Sequence, residues 1–377
     1  MKVGLIVPGG VDRSGRERVI PALLALIERL AGEHDVQIFA LRQEDRPAMY
    51  RLLGATVHNI GLRPRGLRAV TAILREHRRE PFDVLHGFWA MPGAIAGLAG
   101  RALGVPVLTH LIGADLVSLP DIDYGLLRTR RGRVLLRLAT ATASQLLVES
   151  AAMQQLARSL NIAAQRVALG VDLRRWPPVS PRARSRPARL LQVASLNRVK
   201  DQTTLLRAAA ALNSRGVDFV LDLVGQDTLK GAMQAEAHAL GISDQVRFHG
   251  FVAHAQCRSF FLEADLLVVT SRHEAAPVVA LEAAVCGVPA VGSRVGFLAD
   301  WQPHAASTVP PQNPLALADA IELLLQDEPT RISLATNAQQ IALQHDADWT
   351  LAHLLRTYEE LARASFNARV ARPLRRS

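Results

Sequence analysis

The chain predicts an α/β protein of two domains, each a parallel sheet flanked by helices. Short apolar runs alternate with longer segments of helical periodicity, the rhythm of strands joined by crossover helices. The rhythm stops in a proline-rich stretch and starts afresh near residue 189. A length of 377 residues suffices for two cores of ordinary size.

In the first half the strands are expected at 2–7, 35–40, 83–86, 105–109 and 145–148. Helical patterns lie at 16–31, 66–79, 92–103 and 151–160. RRWPPVSPRARSRPAR (174–189) then places four prolines in sixteen positions. Proline removes a backbone donor and fixes φ, so neither helix nor central strand can continue there, and the stretch reads as a linker. In the second half strands are expected at 189–194, 218–224, 246–249, 266–270 and 288–291. Helices follow at 201–214, 228–240, 254–263, 277–286 and 314–326. A last long helix over 346–366 carries Leu351, Leu354, Leu355, Tyr358 and Leu361 on one stripe. The division predicted is 1–175, a linker at 176–188, a second domain at 189–345 and a terminal helix with a basic tail at 346–377.

Composition excludes several classes. Hydrophobic residues make up 49% and charged residues 21%, a globular balance. No apolar run is long enough to cross a bilayer, and VGLIVPGG (3–10) reads as a buried first strand rather than a signal peptide. A cytoplasmic protein is expected. Cys257 and Cys286 lie on separate elements and imply no disulfide framework. Neither the twelve histidines nor the short Asp-x-Asp matches at Asp121 and Asp346 form a convincing metal set, so no metal and no cofactor is expected. The formal charge of +10 raises nucleic acid or an anionic membrane as a partner. Aromatics are only 5% and do not interleave with the arginines, which argues against nucleic acid. Segment 127–138 alternates arginine with leucine and valine, which suits either a peripheral contact with anionic lipid or a solvated basic face.

The most informative motif is SRHEAAPVVALEAAVCGVPAV (271–291), with Glu274 and Glu282 eight positions apart. Glu274 follows the strand-like LLVVT (266–270), and Pro277 falls where a helix should begin. The amides of Ala276, Pro277, Val278 and Val279 would then face outward at a helix N-terminus, which favours a phosphate. Glu282 lies in a helix that is apolar nearly all round, so its charge requires a partner. Lys200 sits in the loop after the strand 189–194, where an ammonium can neutralise part of a diphosphate. Gly15 lies in the loop PGGVDRSGRERVI (8–20) after the first strand, either as a turn glycine or as a point of close ligand approach. His86 ends a strand, and His110 and Asp115 bracket the exit of the next, where ligands enter parallel sheets.

These segments together resemble the retaining glycosyltransferase family 4, whose signature is Glu-x7-Glu. VASLNRVKDQTTLLRAAAAL (193–212), LDLVGQD (221–227), VRFHGFV (246–252) and the stretch 266–301 follow in the family's order. DVLHGFWAMPGAIAGLAGRALGVPVLTHLIGADL (83–116) and ALGVDLRRWPP (168–178) extend the resemblance into the first half. It implies a GT-B fold, two Rossmann-like domains facing a cleft, with the terminal helix returning to the first domain. It also implies a hexosyltransferase-type enzyme moving a sugar from a UDP- or GDP-linked donor to a glycan or lipid-linked acceptor. Under that resemblance Lys200, Arg198, Ser195, Gly225, Glu282 and the amides of 276–279 bind the donor, with Gly15 beside them. Glu274 orients the transferred sugar, with Lys200 as its catalytic companion, while His86, His110 and Asp115 belong to the acceptor or sugar side. The chain departs from the pattern at Ser195, where the family carries arginine, at Ala275, where it carries glycine, and at Ile112, where it carries histidine. A nucleotide-sugar epimerase on the same plan, or a non-catalytic nucleotide-sugar-binding protein, are the alternatives.

Overall fold

The computed structural model of the protein describes residues 1–370, and the chain divides into two units. The first comprises Met1–Glu149, Met153–Leu169 and the chain from Ala347 on. Among the described residues its sheet has eight strands: β1 (Lys2–Val7), β2 (Asp35–Ala40), β3 (Ala48–Leu52), β4 (Ala55–Asn59), β5 (Val84–Phe88), β6 (Val107–Leu111), β7 (Gln145–Val148) and β8 (Gln165–Arg166). Their spatial order is β3-β4-β2-β1-β5-β6-β7-β8. All pairs are parallel except β3 with β4. β1, β5 and β6 are buried at every position, as strands covered on both faces are, and their polar residues Lys2, His86, Thr109 and His110 are buried with them.

The helices of this part are α1 (Pro21–Glu33), α2 (Arg65–Arg79), α3 (Ala90–Leu103), α4 (Arg130–Thr142) and, from Met153 on, α5 (Ala151–Ser159). Three features differ from expectation. The helix expected from residue 16 begins at Pro21, because proline at the first helical position offers no amide that needs a partner. Residues before it form a loop in which the Asp12 carboxylate accepts from the Ser14 amide at 3.0 Å and the Arg18 guanidinium at 2.6 Å. The hairpin β3–β4 was not anticipated: its two-residue turn is Leu53-Gly54, both at positive φ (48° and 87°), without the Asn-Gly signal that usually betrays such a turn. And the segment 127–138, noted for its arginines among leucine and valine, runs from a single 3-10 turn (Leu126–Arg128) into a helix. Thr129 accepts from the Gly132 amide at 3.0 Å and starts α4, which buries Gly132, Leu136, Ala139 and Thr142 and exposes Arg130, Arg133, Val134 and Arg137.

The second unit comprises Ser150–Ala152 and Gly170–Asp346. Its sheet, β9 (Ala188–Val193), β10 (Phe219–Val224), β11 (Val246–Gly250), β12 (Leu266–Val269), β13 (Ala290–Ser293) and β14 (Ala306–Val309), has the order β11-β10-β9-β12-β13-β14 and is parallel throughout. The helices are α6 (Gln202–Ser214), α7 (Ala232–Ala239), α8 (His254–Glu263), α9 (Val278–Val285), α10 (Gly296–Trp301), α11 (Pro314–Gln326) and α12 (Glu328–Gln344). Leu190, Leu205, Leu221, Leu266, Val291 and Ile321 belong to one core joining sheet and helices. Residues 177–187 carry neither helix nor strand, as their prolines dictate.

The last helix, α13 (Ala347–Val370), belongs to the first unit. Leu354 and Tyr358 of its apolar stripe are fully buried, and Asp348 pairs at 2.6 Å with Arg29 of α1. The basic tail beyond residue 370 lies outside the described residues. Among the described residues no helix is long and apolar enough to cross a membrane.

Candidate active site

In the second sheet β9 is central, with β10 on one side and β12 on the other. The chain reverses its direction of travel across the sheet at the β9/β12 boundary, the kind of switch point at whose carboxyl ends parallel sheets take ligands. Lys200 leaves on one loop and Glu274 on the other, and their side chains meet: Lys200 Nζ lies 2.5 Å from Glu274 Oε1. The same oxygen accepts from Ser271 Oγ at 2.5 Å. Both members are half-buried, with 27% and 15% of their side chains exposed.

A buried polar relay fixes the two loops to each other. Gln192 of β9 donates to Thr270 Oγ1 at 3.0 Å and accepts from Gln202 Nε2 at 2.9 Å. Thr270 in turn donates to the Lys200 carbonyl at 2.8 Å, and the Arg272 amide donates to the Val199 carbonyl at 2.8 Å. Asn197 accepts the Lys200 amide at 3.1 Å. Gln192, Gln202 and Thr270 are all buried, so each bond replaces one that water no longer supplies. None of these residues was singled out from the sequence. The only available signal was polar residues at positions where the strand and helix patterns place core.

Ser195 and Arg198 lie exposed on the Lys200 loop. Gly225, at the end of β10, approaches that loop so closely that a Cβ would stand 2.0 Å from the Ala194 carbonyl oxygen. On the other side Gly296, at φ +48°, opens α10 against the Glu274 loop, where a Cβ would meet Pro277 Cδ at 2.7 Å. The sequence reading passed over Gly296.

Pro277 is the N-cap of α9, and its carbonyl accepts the Ala280 amide at 2.9 Å. As a proline it has no N–H, so the outward amides expected over 276–279 reduce to those of Ala276, Val278 and Val279. Glu282 lies one turn into α9, about 6 Å further along the axis. It is 7% exposed, and the partner its burial demands is His254 of α8, whose Nε2 lies 2.6 Å from Glu282 Oε1. His254 packs its ring on buried Trp176 at 5.2 Å between centroids. Lys200, Ser195, Arg198, Gly225, Glu274, the start of α9 and Glu282 therefore all belong to the second unit.

Gly15, His86, His110 and Asp115 belong to the first. Gly15 has φ +64°, the conformation of a turn glycine, and a Cβ there would meet only Leu52 Cδ1, at 3.8 Å. His86 and His110 are fully buried, with ring centroids 5.8 Å apart. His86 Nδ1 lies 2.7 Å from the Tyr358 hydroxyl of α13, and neither ring nitrogen of His110 closes a hydrogen bond. Burial holds both imidazoles neutral, His86 well below its ordinary pKa and His110 at about 3. The Asp115 carboxylate accepts the Ala90 and Ile112 amides at 2.9 and 3.0 Å. Burial outweighs those two bonds and raises its pKa to about 7.

Residues 178–341 match the family described as Glycosyl transferases group 1, and residues 19–171 match the Glycosyl transferase 4-like domain. A D-inositol 3-phosphate glycosyltransferase of Arthrobacter sp. is 29% identical, covering 91% of this chain and 90% of its own. One from Catenulispora acidiphila is 31% identical, covering 71% of this chain and 68% of its own. The chain is a family 4-type glycosyltransferase. The enzyme has the GT-B fold: sucrose-phosphate synthase from Thermosynechococcus elongatus superposes with a TM-score of 0.82 at 18% identity, covering 97% of this chain and all of that one. Anabaena HepE in complex with UDP-glucose superposes with a TM-score of 0.73 at 20% identity, covering 96% of this chain and all of that one. In this glycosyltransferase the two family segments fall on either side of residues 172–177.

Proposed function

We propose that the protein is a retaining glycosyltransferase that takes a sugar from a uridine or guanosine diphosphate donor and passes it to a hydroxyl of a glycan or lipid-linked acceptor. The meeting of Lys200 with Glu274 at the carboxyl ends of β9 and β12, beside the start of α9, carries the reading. HepE, with the same fold, is described in complex with UDP and with UDP-glucose, which supports a diphosphate donor. The second unit holds that donor and the first offers the acceptor.

In this reading the diphosphate lies against the free amides of Ala276, Val278 and Val279, with Lys200 closing beside it and Arg198, Ser195 and Gly225 lining the adjoining loop. Glu282 takes the ribose hydroxyls, since a carboxylate can accept from two vicinal donors at once. Glu274 orients the sugar. When the bond from the anomeric carbon to the phosphate oxygen breaks, its electron pair passes to the diphosphate. Lys200 and the helix amides stabilise that growing charge most in the transition state, which lowers the barrier. The acceptor oxygen attacks from the same face and its proton goes to the departing phosphate oxygen, so configuration is retained.

The test is calorimetric titration of UDP and of GDP against the wild type, Lys200→Ala and Glu282→Ala. A loss of about tenfold or more for one nucleotide in both variants is expected, the worth of one charge-assisted contact. Unchanged affinity in both overturns the assignment. Peripheral attachment through 127–138 belongs to the same proposal and rests on the exposed Arg130, Arg133, Val134 and Arg137 of α4. Sedimentation with vesicles of phosphatidylcholine alone and with phosphatidylglycerol added tests it. Equal sedimentation in both would reject it.

A further inference from the structure

At the opposite edge of the second sheet, where β9, β10 and β11 begin, lies a cavity of about 550 Å³. Its lining includes Arg182, Arg186, Arg189 and Arg247, with Ser185 and Glu263 beside them. The sheet register explains the concentration of charge. Arg189 stands opposite Val220 and Arg247 opposite Asp222. Partners in a parallel pair share a face, as do residues two apart in a strand, so Arg189, Asp222 and Arg247 all project from one side of the sheet.

Two of the four guanidinium groups are spoken for. Arg182 lies 3.1 Å from Asp265 and donates to the carbonyls of Glu263 and Ala264 at the C-terminus of α8. Arg189 pairs with Asp222 at 2.9 Å and Glu263 at 3.1 Å, yet its Nε is buried with no acceptor. Asp222 is shared further with His249 at 2.7 Å. Arg186 and Arg247 are exposed, and their guanidinium groups make no ion pair or hydrogen bond with the described residues. Two unneutralised forks thus flank a concave wall whose floor offers Pro187, Val220 and Leu262 as apolar surface. A guanidinium matches a phosphate in planar, two-pronged fashion, and the volume falls in the range of small-molecule sites.

From this geometry we infer that the cavity binds a phosphorylated small molecule, its phosphate held by Arg186 and Arg247 and its body laid on Val220 and Leu262. This is a second anion site, separate from the donor site. β9 runs between the two, roughly 17 Å from Ala188 to Val193, and Lys200 lies beyond its far end. Nothing in the assignment of Lys200 or Glu282 enters the inference.

The experiment uses the full chain and inorganic pyrophosphate as probe, measured by calorimetry. Three proteins are compared: wild type, Lys200→Ala, and the double variant Arg186→Ala/Arg247→Ala. Both arginines are exposed and unpaired, so the double variant should fold, as circular dichroism will register. Expected is a binding component that survives in Lys200→Ala and weakens about tenfold or more in the double variant. Equal affinity in the wild type and the double variant overturns the inference. So does complete loss in Lys200→Ala alone, which would place all anion binding at the donor site and leave the proposed function standing. Survival in Lys200→Ala with loss in the double variant supports the second site whatever becomes of the first. The source of the phosphate is read with soluble glycerol 3-phosphate against vesicles of phosphatidylcholine and phosphatidic acid. Arginine-dependent binding of the soluble ester places it in solution, arginine-dependent sedimentation places it in lipid, and failure of both together with equal pyrophosphate affinity in the double variant rejects the site.

Discussion

Substituting Gly225 by alanine tests whether the Lys200 loop is held where it is by backbone contact. Gly225 has φ +154°, a region essentially closed to other residues, at a cost of about 1–3 kcal/mol. Its added Cβ would also lie 2.0 Å from the Ala194 oxygen, 2.5 Å from its carbon and 2.9 Å from the Ser195 nitrogen. These are backbone atoms, and they cannot swing aside. The Ala194 amide is bonded to the Val224 carbonyl at 2.9 Å and the Leu196 amide to the Gln226 carbonyl at 2.9 Å, so the clash is clamped on both sides. Gly216 supplies the control, with φ +74° and nothing within 4 Å of its virtual Cβ. Gly216→Ala should cost only the left-handed strain, about 1–2 kcal/mol. Gly225→Ala should cost that and the clash, about 3 kcal/mol or more. Urea unfolding followed by circular dichroism compares the two variants within one unit. Nucleotide titration then asks whether the displaced loop carries Lys200 with it. Equal unfolding midpoints for the two variants would refute the reasoning.

Other expectations follow from the same contacts. Gln202→Leu should destabilise the second unit by about 1–3 kcal/mol, because it leaves Gln192 and the Ser195 carbonyl short of a donor; an unchanged urea midpoint would contradict the relay. Ser271→Ala removes a donor from Glu274 and should lower kcat about tenfold with little change in stability; a drop in melting temperature with kcat intact would assign Ser271 to the fold instead. The pH dependence of stability has two opposed parts. Asp115 has a folded pKa raised to about 7, so its contribution is complete below its unfolded value of about 4 and is lost as pH rises through 7. Asp115→Asn should therefore gain on the wild type between pH 5 and pH 8 in thermal unfolding, and a constant difference would deny the shift. His110, depressed to about 3, contributes stability above its unfolded value of about 6.5 and loses it as pH falls towards 3. His110→Phe should flatten the acid side of the same curve, whereas an unaltered acid limb would place the loss elsewhere.

The local chemistry of the chain was legible where a single element decides it. β1, β2 and β7 lie at the residues their apolar runs mark, and α8 and α11 span the segments their periodicity marks. Pro277 at the start of α9 and the isolated Glu282 inside it pointed to a helix terminus beside a charge needing a partner. The Leu53-Gly54 turn and the stripe of α4 were not legible, because a leucine in left-handed backbone and a glycine inside a helix both contradict propensity, and packing overrules it.

What the sequence by itself determined is the alternation of strands and helices, the break at the prolines, and the residue types at two strand ends. Those are near-neighbour effects, written within a few residues of where they act. Only the tertiary structure decided that Lys200 meets Glu274, that His254 answers Glu282, and that Arg189 and Arg247 share one face of the sheet. Each of these joins residues from 28 to 74 positions apart, and the order of strands in a sheet sets such distances. That order follows from how crossover helices bury both faces together, a property of the whole unit that no local window contains.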